Sequence, residues 1–295
     1  DVERILKLGR PVFWFMHDMW PLTGGCHHAF DCTKYLEKCI DCPLLHRKRD
    51  MLFCKFQFEE KYRIFSKYSN LKIIAPSTWL FHLASTSLLF KNKQLIHIPN
   101  LCDINIFKPM GKGWAKRLFN LSESKKLILF GAATGGMGNI YKGWEYLQKA
   151  ILHLSTSSYE AVIFGEYNKT VEKQLPIKCN FIGKLYDEYS LSVLYNAADV
   201  FVTPSLADNF PNTILESLSC GTPVVAFNVG GIPDLIMHKS NGYLAHYKDC
   251  EDLKKGIEWC VSQYSIQEVC RSSIIKKYSP SLIIEKHKKL MYGKI

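Results

Sequence analysis

The stretch SLADNFPNTILESLSCGTPVV, residues 205–225, contains the signals of a loop, a short helix and the start of a strand. Pro211 suits the first turn of a helix, and Gly221 suits the position just after one. The apolar run that begins at Pro223 predicts a buried strand. One acid, Asp208, precedes this helix and another, Glu216, lies inside it. Because the run DVFVTPS ends where this stretch begins, the order is strand, loop, helix, strand, which is typical of a parallel sheet.

Short apolar runs alternate with helical patterns throughout the second half of the chain. This alternation indicates βαβ units with helices on both faces of a parallel sheet. The predicted strands are 126–131, 159–165, 180–183, 199–205, 223–227 and 241–245, and the predicted helices are 142–154, 187–198, 211–221 and 250–264. The first part of the chain shows a weaker version, with strands at PVFWFMHD (11–18), 71–77 and 94–100 and helices at 55–69 and 78–86.

These patterns predict an α/β protein of two Rossmann-like domains, the first of them incomplete. We expect a partial N-terminal domain over 1–100, a linker with a short helix over 101–122, and a second domain over 123–278. A C-terminal helix over 279–295 is expected to return toward the first domain.

The composition is that of a globular protein, with 47% hydrophobic and 22% charged residues among 295. No run approaches the ~18 apolar residues of a membrane-spanning helix. The formal charge of +11 favours phosphorylated substrates or acidic lipid, although a merely basic surface explains it equally well. Basic residues are dispersed, so we expect no nucleic-acid partner. Most of the 11 cysteines stand singly in apolar runs, which suits a cytoplasmic protein.

The start of the helix near Pro211 is a candidate anion site. Its first backbone N–H groups lack intrahelical partners, and the helix dipole adds positive potential there. Glu216 is placed to accept a sugar hydroxyl, and Asp208 to contact a second part of the same ligand. The pattern therefore suggests a phosphorylated polyol such as a nucleotide sugar. Acids near helix starts also occur for stability alone, contributing about 0.3–1 kcal/mol.

The run DNFPNTILESLSCGTPVVAFNVGGIPDLI (208–236) resembles the signature of family 4 retaining glycosyltransferases of the GT-B fold. Further similar segments are HDMWPLTGGCHHAFDCTKYLEKCIDCP (17–43), APSTWL (75–80), IPNLCDINIFKP (98–109) and FGA…YKGWEYL (130–147). The segment 17–43 resembles bacterial cell-surface polysaccharide transferases of the colanic acid, O-antigen or capsule type. The resemblance implies two Rossmann-like domains facing a cleft. It also implies transfer of a sugar from a nucleotide sugar to a glycan or lipid-linked acceptor, with retained anomeric configuration.

The resemblance also implies roles for individual residues. Glu216 would bind the ribose, and Asp208, where the family has glutamate, would lie by the donor sugar. Lys142 would neutralise the diphosphate, and His17 would lie near the reacting centre. The remaining donor-binding residues would be Phe210, Pro211, Asn212, Thr213, Lys184 and Gly131. Ala132 stands where many members have arginine. No catalytic metal or other cofactor is expected.

Relatives that carry these motifs begin roughly a hundred residues earlier, so we expect this chain to be truncated at its N-terminus. Two alternatives to the transferase therefore stay open: a nucleotide-sugar epimerase, and an inactive sugar-nucleotide-binding remnant.

Cys26, Cys32, Cys39 and Cys42 form a C-x5-C-x6-C-x2-C cluster. Four thiolates at this spacing predict a structural zinc site, with reduced thiols or a disulfide loop as the alternatives. A basic zinc ribbon that binds nucleic acid is disfavoured, because the flanking sequence belongs to a sheet domain.

The aromatic and basic helix 55–69 is expected to face the core. The alternative is peripheral contact with an anionic membrane on its inner face.

Overall fold

The computed structural model describes residues 2–132, 140–166 and 175–293. The chain forms two compact units. Unit 1 contains Asp1–Pro99 together with Asp208–Phe210, and unit 2 contains Asn100–Ala207 with Pro211–Ile295.

Unit 1 is built on a parallel sheet of three strands in the order β1-β2-β3. The strands are β1 (Val12–Phe15), β2 (Leu71–Ala75) and β3 (Gln94–His97), and the helices are α1 (Val2–Leu6), α2 (Lys48–Lys67) and α3 (Thr78–Thr86). Phe58 and Phe65 of α2 pack with Ile73 of β2 in the core. The three predicted strands are confirmed, each ending earlier than predicted. Helix α2 begins seven residues before its predicted start, because the prediction followed only its aromatic stripe.

Unit 2 is built on a sheet of six parallel strands in the order β6-β5-β4-β7-β8-β9. They are β4 (Lys126–Ala132), β5 (Tyr159–Gly165), β6 (Cys179–Gly183), β7 (Val200–Thr203), β8 (Val224–Phe227) and β9 (Gly242–Ala245). The helices are α4 (Lys112–Leu118), α5 (Trp144–Leu152), α6 (Glu188–Ala197), α7 (Asn212–Ser219), α8 (Cys250–Ser262), α9 (Ile266–Tyr278) and α10 (Pro280–Met291). The predicted α/β class and all six predicted strands are confirmed.

The strand order places a topological switch between β4 and β7. From β4 the chain moves outward through β5 and β6, then returns to β7 and continues outward on the other side. The register pairs Phe130 with both Ile163 and Val202, so β4 lies at the centre. In open parallel sheets ligands bind at the carboxyl ends of the strands that flank such a switch. The candidate site therefore lies where β4 and β7 end.

One helix of unit 2 does not follow from the apolar patterns. Helix α9 was not predicted, because its sequence, IQEVCRSSIIKKY, lacks a wide apolar stripe. The segment 101–122 contains the short helix that was predicted there, α4, whose Ala115 and Lys116 are buried. Lys116 is tolerated there because its ammonium contacts the Asp199 carboxylate at 3.2 Å.

In the three ranges that the structure describes, no helix combines the length and the apolar character needed to cross a bilayer.

Candidate active site

Helix α7 begins directly beyond the carboxyl end of β7. Pro211, at the position before the first helical residue, has an extended backbone, and its side chain offers no hydrogen bond to the amides of the first turn. Gly221 follows the helix at φ +83°, and its N–H donates to the Leu218 carbonyl at 3.0 Å. A Cβ at this position would collide with Gln267 of α9. The predicted helix start and its glycine stop are thus confirmed, with the helix running Asn212–Ser219.

The turn that carries Lys142 packs against the loop after β7. Gly143 has φ +62°, and a Cβ there would collide with the carbonyl oxygen of Pro204. The Leu206 N–H donates to the Tyr141 carbonyl at 2.8 Å, which fixes the two segments side by side. Because only glycine allows this approach, the YKG sequence places Lys142 at the same sheet edge as the start of α7.

Glu216 is half-buried, and its nearest described polar partner is a buried tyrosine. The Tyr195 hydroxyl of α6 donates to Glu216 Oε2 at 3.1 Å. Burial raises the pKa of Glu216 to about 7, although the Tyr195 hydrogen bond opposes this by favouring the carboxylate. The carboxylate is therefore costly to ionise in the unliganded protein and available to hydrogen-bond a ligand. This combination is common at binding and catalytic sites.

Hydrogen bonds behind α7 hold the Glu216 carboxylate in place. The Thr222 hydroxyl donates to the Tyr195 carbonyl at 2.7 Å, and the Ser219 hydroxyl donates to the Phe107 carbonyl at 2.6 Å. The Arg271 guanidinium of α9 donates to the Ser219 hydroxyl at 2.8 Å and to the Phe107 carbonyl. These contacts join α6, α7, α9 and the segment before α4 into one support.

The other predicted donor-binding residues of unit 2 lie at the same carboxyl edge. Gly131 is the penultimate residue of β4, where a Cβ would lie 2.8 Å from the ring of Phe164. Lys184 follows β6 and pairs with Glu166 at 3.2 Å, in an exposed ion pair that a ligand phosphate can compete with. Pro211 is buried and Thr213 half-buried, whereas Asn212 is exposed.

Asn212, at the first helical position of α7, has a described partner. Its side-chain oxygen accepts from the Asn100 amide at 2.8 Å.

Unit 1 contains the remaining predicted residues, His17, Asp208 and Phe210. His17 follows β1 with an exposed side chain, Asp208 is half-buried and Phe210 is buried. Between the last two lies Asn209, which is 3% exposed and donates to the His17 carbonyl at 3.0 Å. Its oxygen accepts from the Ser77 hydroxyl at 2.6 Å. Asn209 therefore fixes the Asp208–Phe210 segment to the ends of β1 and β2.

Three supporting residues, Asn209, Tyr195 and Arg271, were missed by sequence reasoning. Each acts through partners far away in sequence, such as His17, 192 positions before Asn209. The only local signal was an asparagine within the DNFPN run, which is equally typical of an ordinary turn.

The four clustered cysteines of unit 1 line one small cavity together with Tyr35 and Ile40. Burial, then the neighbouring thiols, raise the pKa of Cys26 to about 12. Cys26, Cys32, Cys39 and Cys42 are free thiols. Among the described residues, no group of three or more His, Cys, Asp or Glu side chains is already arranged as a metal site.

Comparison with known proteins finds a match for the central part of unit 2. Residues 128–263, which contain the switch point, α7 and Glu216, match the family model described as glycosyl transferases group 1. This segment is similar to group 1 glycosyltransferases.

Curated relatives of this chain include two uncharacterized glycosyltransferases. The protein MJ1607 of Methanocaldococcus jannaschii is 30% identical over 176 residues, covering 56% of this chain and 44% of that protein. The Haemophilus influenzae protein is 29% identical over 164 residues, covering 51% of this chain and 46% of its own. The sulfoquinovosyl transferase SQD2 of Arabidopsis thaliana is 33% identical over 140 residues, which cover 46% of this chain and 26% of SQD2. This chain spans about half or less of the length of these relatives.

Solved structures extend the likeness to both units. Anabaena Alr3699/HepE in complex with UDP has a TM-score of 0.71 at 18% identity, covering 99% of this chain and 77% of that one. A glycosyltransferase from Rickettsia africae has a TM-score of 0.67 at 19% identity, and the match covers 79% of this chain and 65% of that one. These likenesses concern the fold, and they confirm the predicted GT-B type.

Proposed function

We propose that this protein is a retaining glycosyltransferase that moves a sugar from a nucleotide-sugar donor to a glycan or lipid-linked acceptor. The observation that carries the proposal is Glu216, a half-buried carboxylate on α7 at the switch point of a segment that is similar to group 1 glycosyltransferases. Anabaena HepE, which shares the fold, was solved with UDP-glucose. A carboxylate beside an uncapped helix start suits a ligand that joins a diphosphate to a ribose.

The roles of the unit 2 residues follow from charge and position. The amides at the start of α7 and the Lys142 ammonium bind the diphosphate, and Glu216 accepts hydrogen bonds from the ribose hydroxyls. As the bond to the sugar breaks, negative charge accumulates on the leaving diphosphate. Positive groups held in place beforehand stabilise that charge without having to reorganise. Lys184 contributes when the ligand displaces Glu166.

Within unit 1, His17 and Asp208 are the proposed residues for the acceptor and the donor sugar. The acceptor hydroxyl loses its proton as it attacks the anomeric carbon, and a phosphate oxygen of the leaving diphosphate can take that proton. By resemblance we assign the product to cell-surface polysaccharide synthesis in the cytoplasm.

The epimerase alternative receives no support from the relatives described above, which are named as transferases. An inactive remnant would bind the nucleotide sugar but would not transfer its sugar, and this distinguishes it from the proposed transferase.

The donor site is tested by calorimetry with UDP, GDP and their sugars. We expect one of them to bind the wild-type chain, and Glu216→Ala to weaken its binding at least tenfold. Glu258→Ala, at an exposed carboxylate of α8, is the matched control and should leave the affinity unchanged. Absence of binding by every nucleotide diphosphate and nucleotide sugar would refute the proposal.

Turnover is tested by incubating the chain with the nucleotide sugar that binds and a lipid-linked glycan. NMR of the product should show the anomeric configuration of the donor. An inverted product would refute retention, and free epimerised nucleotide sugar without acceptor would favour the epimerase.

The first half of α2 adds a proposed contact with the membrane that holds such an acceptor. Three large apolar side chains are exposed there: Leu52 (60%), Phe53 (61%) and Phe56 (55%). The basic residues around them are Arg47, Lys48, Arg49 and Lys55. One face of helix α2 packs on the core and the other is exposed to solvent. The core-facing stripe and the membrane contact that the sequence suggested therefore concern opposite faces of the same helix. Exposed apolar side chains within a basic surface are typical of helices that lie on anionic bilayers.

Co-sedimentation with vesicles tests this contact. The wild-type chain should bind vesicles that contain phosphatidylglycerol and should not bind pure phosphatidylcholine. Replacing Phe53 and Phe56 by serine should abolish binding, whereas Tyr186→Ser, at an aromatic of unit 2 that is more exposed than either, should not. Equal binding by both variants would refute the contact.

A further inference from the structure

The segment between β1 and α2 is a long irregular loop held against α2. Over residues 16–47 it contains only the two short 3₁₀ turns Trp20–Leu22 and Lys34–Leu36. Phe30, Cys39 and Asp41 have positive φ angles of 49°, 52° and 48°, a conformation that non-glycine residues seldom adopt. A loop of this length and strain requires a specific internal constraint.

Four thiols converge inside this loop. Cys26, Cys32, Cys39 and Cys42 line one cavity of about 10 Å³. Cys39 and Cys42 are buried, while Cys26 and Cys32 are half-buried. Residues six or more positions apart, such as Cys26 and Cys32, thus reach the same space only because the loop folds back on itself.

The backbone around the cluster already donates to sulfur. The Gly24 N–H donates to Cys39 Sγ at 3.1 Å. A Cβ on Gly24 would collide with the carbonyl oxygen of Cys54 in α2, so the loop approaches the helix as closely as a glycine allows. Hydrogen bonds from the surroundings to ligand atoms are characteristic of metal sites, where they orient the ligands.

A buried cation lies beside the same cluster. Lys61 of α2 is 7% exposed. Its ammonium donates to the carbonyl oxygens of Trp20 at 2.6 Å and Thr23 at 2.8 Å, and lies 3.6 Å from the centroid of the Trp20 ring. In the part of the chain that the structure describes, no carboxylate lies within ion-pair distance of this ammonium, and the charge of Asp18 acts on it only from farther away. A buried charge without a close counter-charge is unfavourable.

We propose that Cys26, Cys32, Cys39 and Cys42 bind one structural Zn²⁺ ion. On binding, four thiols lose four protons and form four Zn–S bonds, which gives a centre of net charge −2. That centre places negative charge close to Lys61, and the Gly24 N–H stabilises one of its thiolates. The thiols are not yet arranged as ligands, so their side chains turn toward the shared cavity as the metal binds.

Cys54 provides the matched control. It lies next to the loop, with its Sγ 3.7 Å from where a Cβ of Gly25 would be, but it does not line the cavity. It is therefore outside the proposed ligand set, although it is a free thiol of the same neighbourhood.

The test measures metal in the full chain purified under reducing conditions without chelator. We expect one zinc per chain by mass spectrometry of the elements, and a tetrahedral thiolate spectrum after exchange with Co²⁺. Cys32→Ser and Cys42→Ser should each lower the zinc content at least tenfold, and Cys54→Ser should keep it. Where a serine variant does not fold, removal of zinc from the wild type by a chelator should lower its melting temperature, and added zinc should restore it.

Three results would overturn the proposal. The first is a wild-type chain without zinc that also gives no Co²⁺ thiolate spectrum. The second is full zinc content in both Cys32→Ser and Cys42→Ser. The third is a disulfide between any two of the four cysteines in the chain purified under non-reducing conditions. The nucleotide-sugar proposal survives each of them, because the observation that carries it, Glu216, lies in unit 2.

Discussion

Replacing Glu216 by glutamine should stabilise the unliganded protein at neutral and basic pH while weakening nucleotide binding. In the folded chain burial raises the pKa of this carboxyl to about 7, against 4.5 for an ordinary glutamate exposed to water. Glutamine has nearly the same shape and can still accept the hydrogen bond from Tyr195, but it never ionises. The substitution therefore removes the cost of a half-buried negative charge and leaves the packing in place.

The sign and size of the effect follow from proton linkage. Between pH 4.5 and about 7 the folded state holds a proton on Glu216 that the unfolded state has released. The free energy of unfolding of the wild type therefore falls as pH rises through this window. At about 1.36 kcal/mol per pKa unit, the loss is at most about 3 kcal/mol and is complete above pH 7. Glu216→Gln avoids this loss, so it should match the wild type near pH 4.5 and exceed it near pH 8.

Thermal unfolding between pH 4.5 and 8.5 measures the difference. At about 2–4 °C per kcal/mol for a domain of this size, the variant should melt roughly 6–12 °C above the wild type at pH 8. Glu258→Gln, at an exposed carboxylate, should follow the wild type at every pH. Calorimetry should show that Glu216→Gln binds the nucleotide more weakly than the wild type does. A stability difference that does not change with pH would show that the Glu216 carboxyl is not costly to ionise, and would refute the reasoning.

Three further substitutions test the site and its support. Tyr195→Phe removes the hydroxyl that favours the ionised form of Glu216, so the pH below which nucleotide affinity declines should rise. Calorimetry at several pH values measures this shift, and an unchanged dependence of affinity on pH would contradict the prediction. Gly143→Ala forces a Cβ into the Pro204 carbonyl at a positive φ, and should lower both melting temperature and diphosphate affinity; normal affinity would mean that the turn does not place Lys142. Asn209→Asp keeps the oxygen that accepts from Ser77 but loses the N–H group that donates to the His17 carbonyl. The free energy of unfolding measured in urea should therefore fall by about 1–3 kcal/mol. Asn212→Asp, at an exposed position, should not lower it in this way.

The pKa of Glu216 also bears on how affinity is obtained. A carboxylate that is costly to ionise in the free protein gains from a ligand whose hydroxyl groups hydrogen-bond to it. Part of the binding free energy is then spent on ionising Glu216 below pH 7. Nucleotide affinity should accordingly weaken as the pH falls below about 7, with uptake of a proton on release.

The sequence by itself determined the six strands of unit 2 and its helices other than α9. Strands such as VVAF and helices such as NTILESLS are set by local patterns of apolar residues, and Gly221 ends α7 because only glycine tolerates the conformation needed there. Glu216 could be singled out for the same reason, since its spacing from Pro211 places it on the second turn of a helix that starts at a sheet edge. Features such as these can be predicted from the sequence because the residues that cause them lie within a few positions of one another.

The tertiary structure alone decided which distant residues support the site. Nothing near Tyr195 in the sequence indicates that its hydroxyl meets Glu216, and nothing near Asn209 indicates the carbonyl of His17. Helix α9 was missed because the side chains that it buries, Cys270, Ile274 and Tyr278, form only a narrow stripe in a largely polar sequence, and its contact between Arg271 and Ser219 joins residues 52 positions apart. Hydrogen bonds between residues far apart in the chain depend on the path of the backbone between them, and that path is fixed only when the whole unit packs.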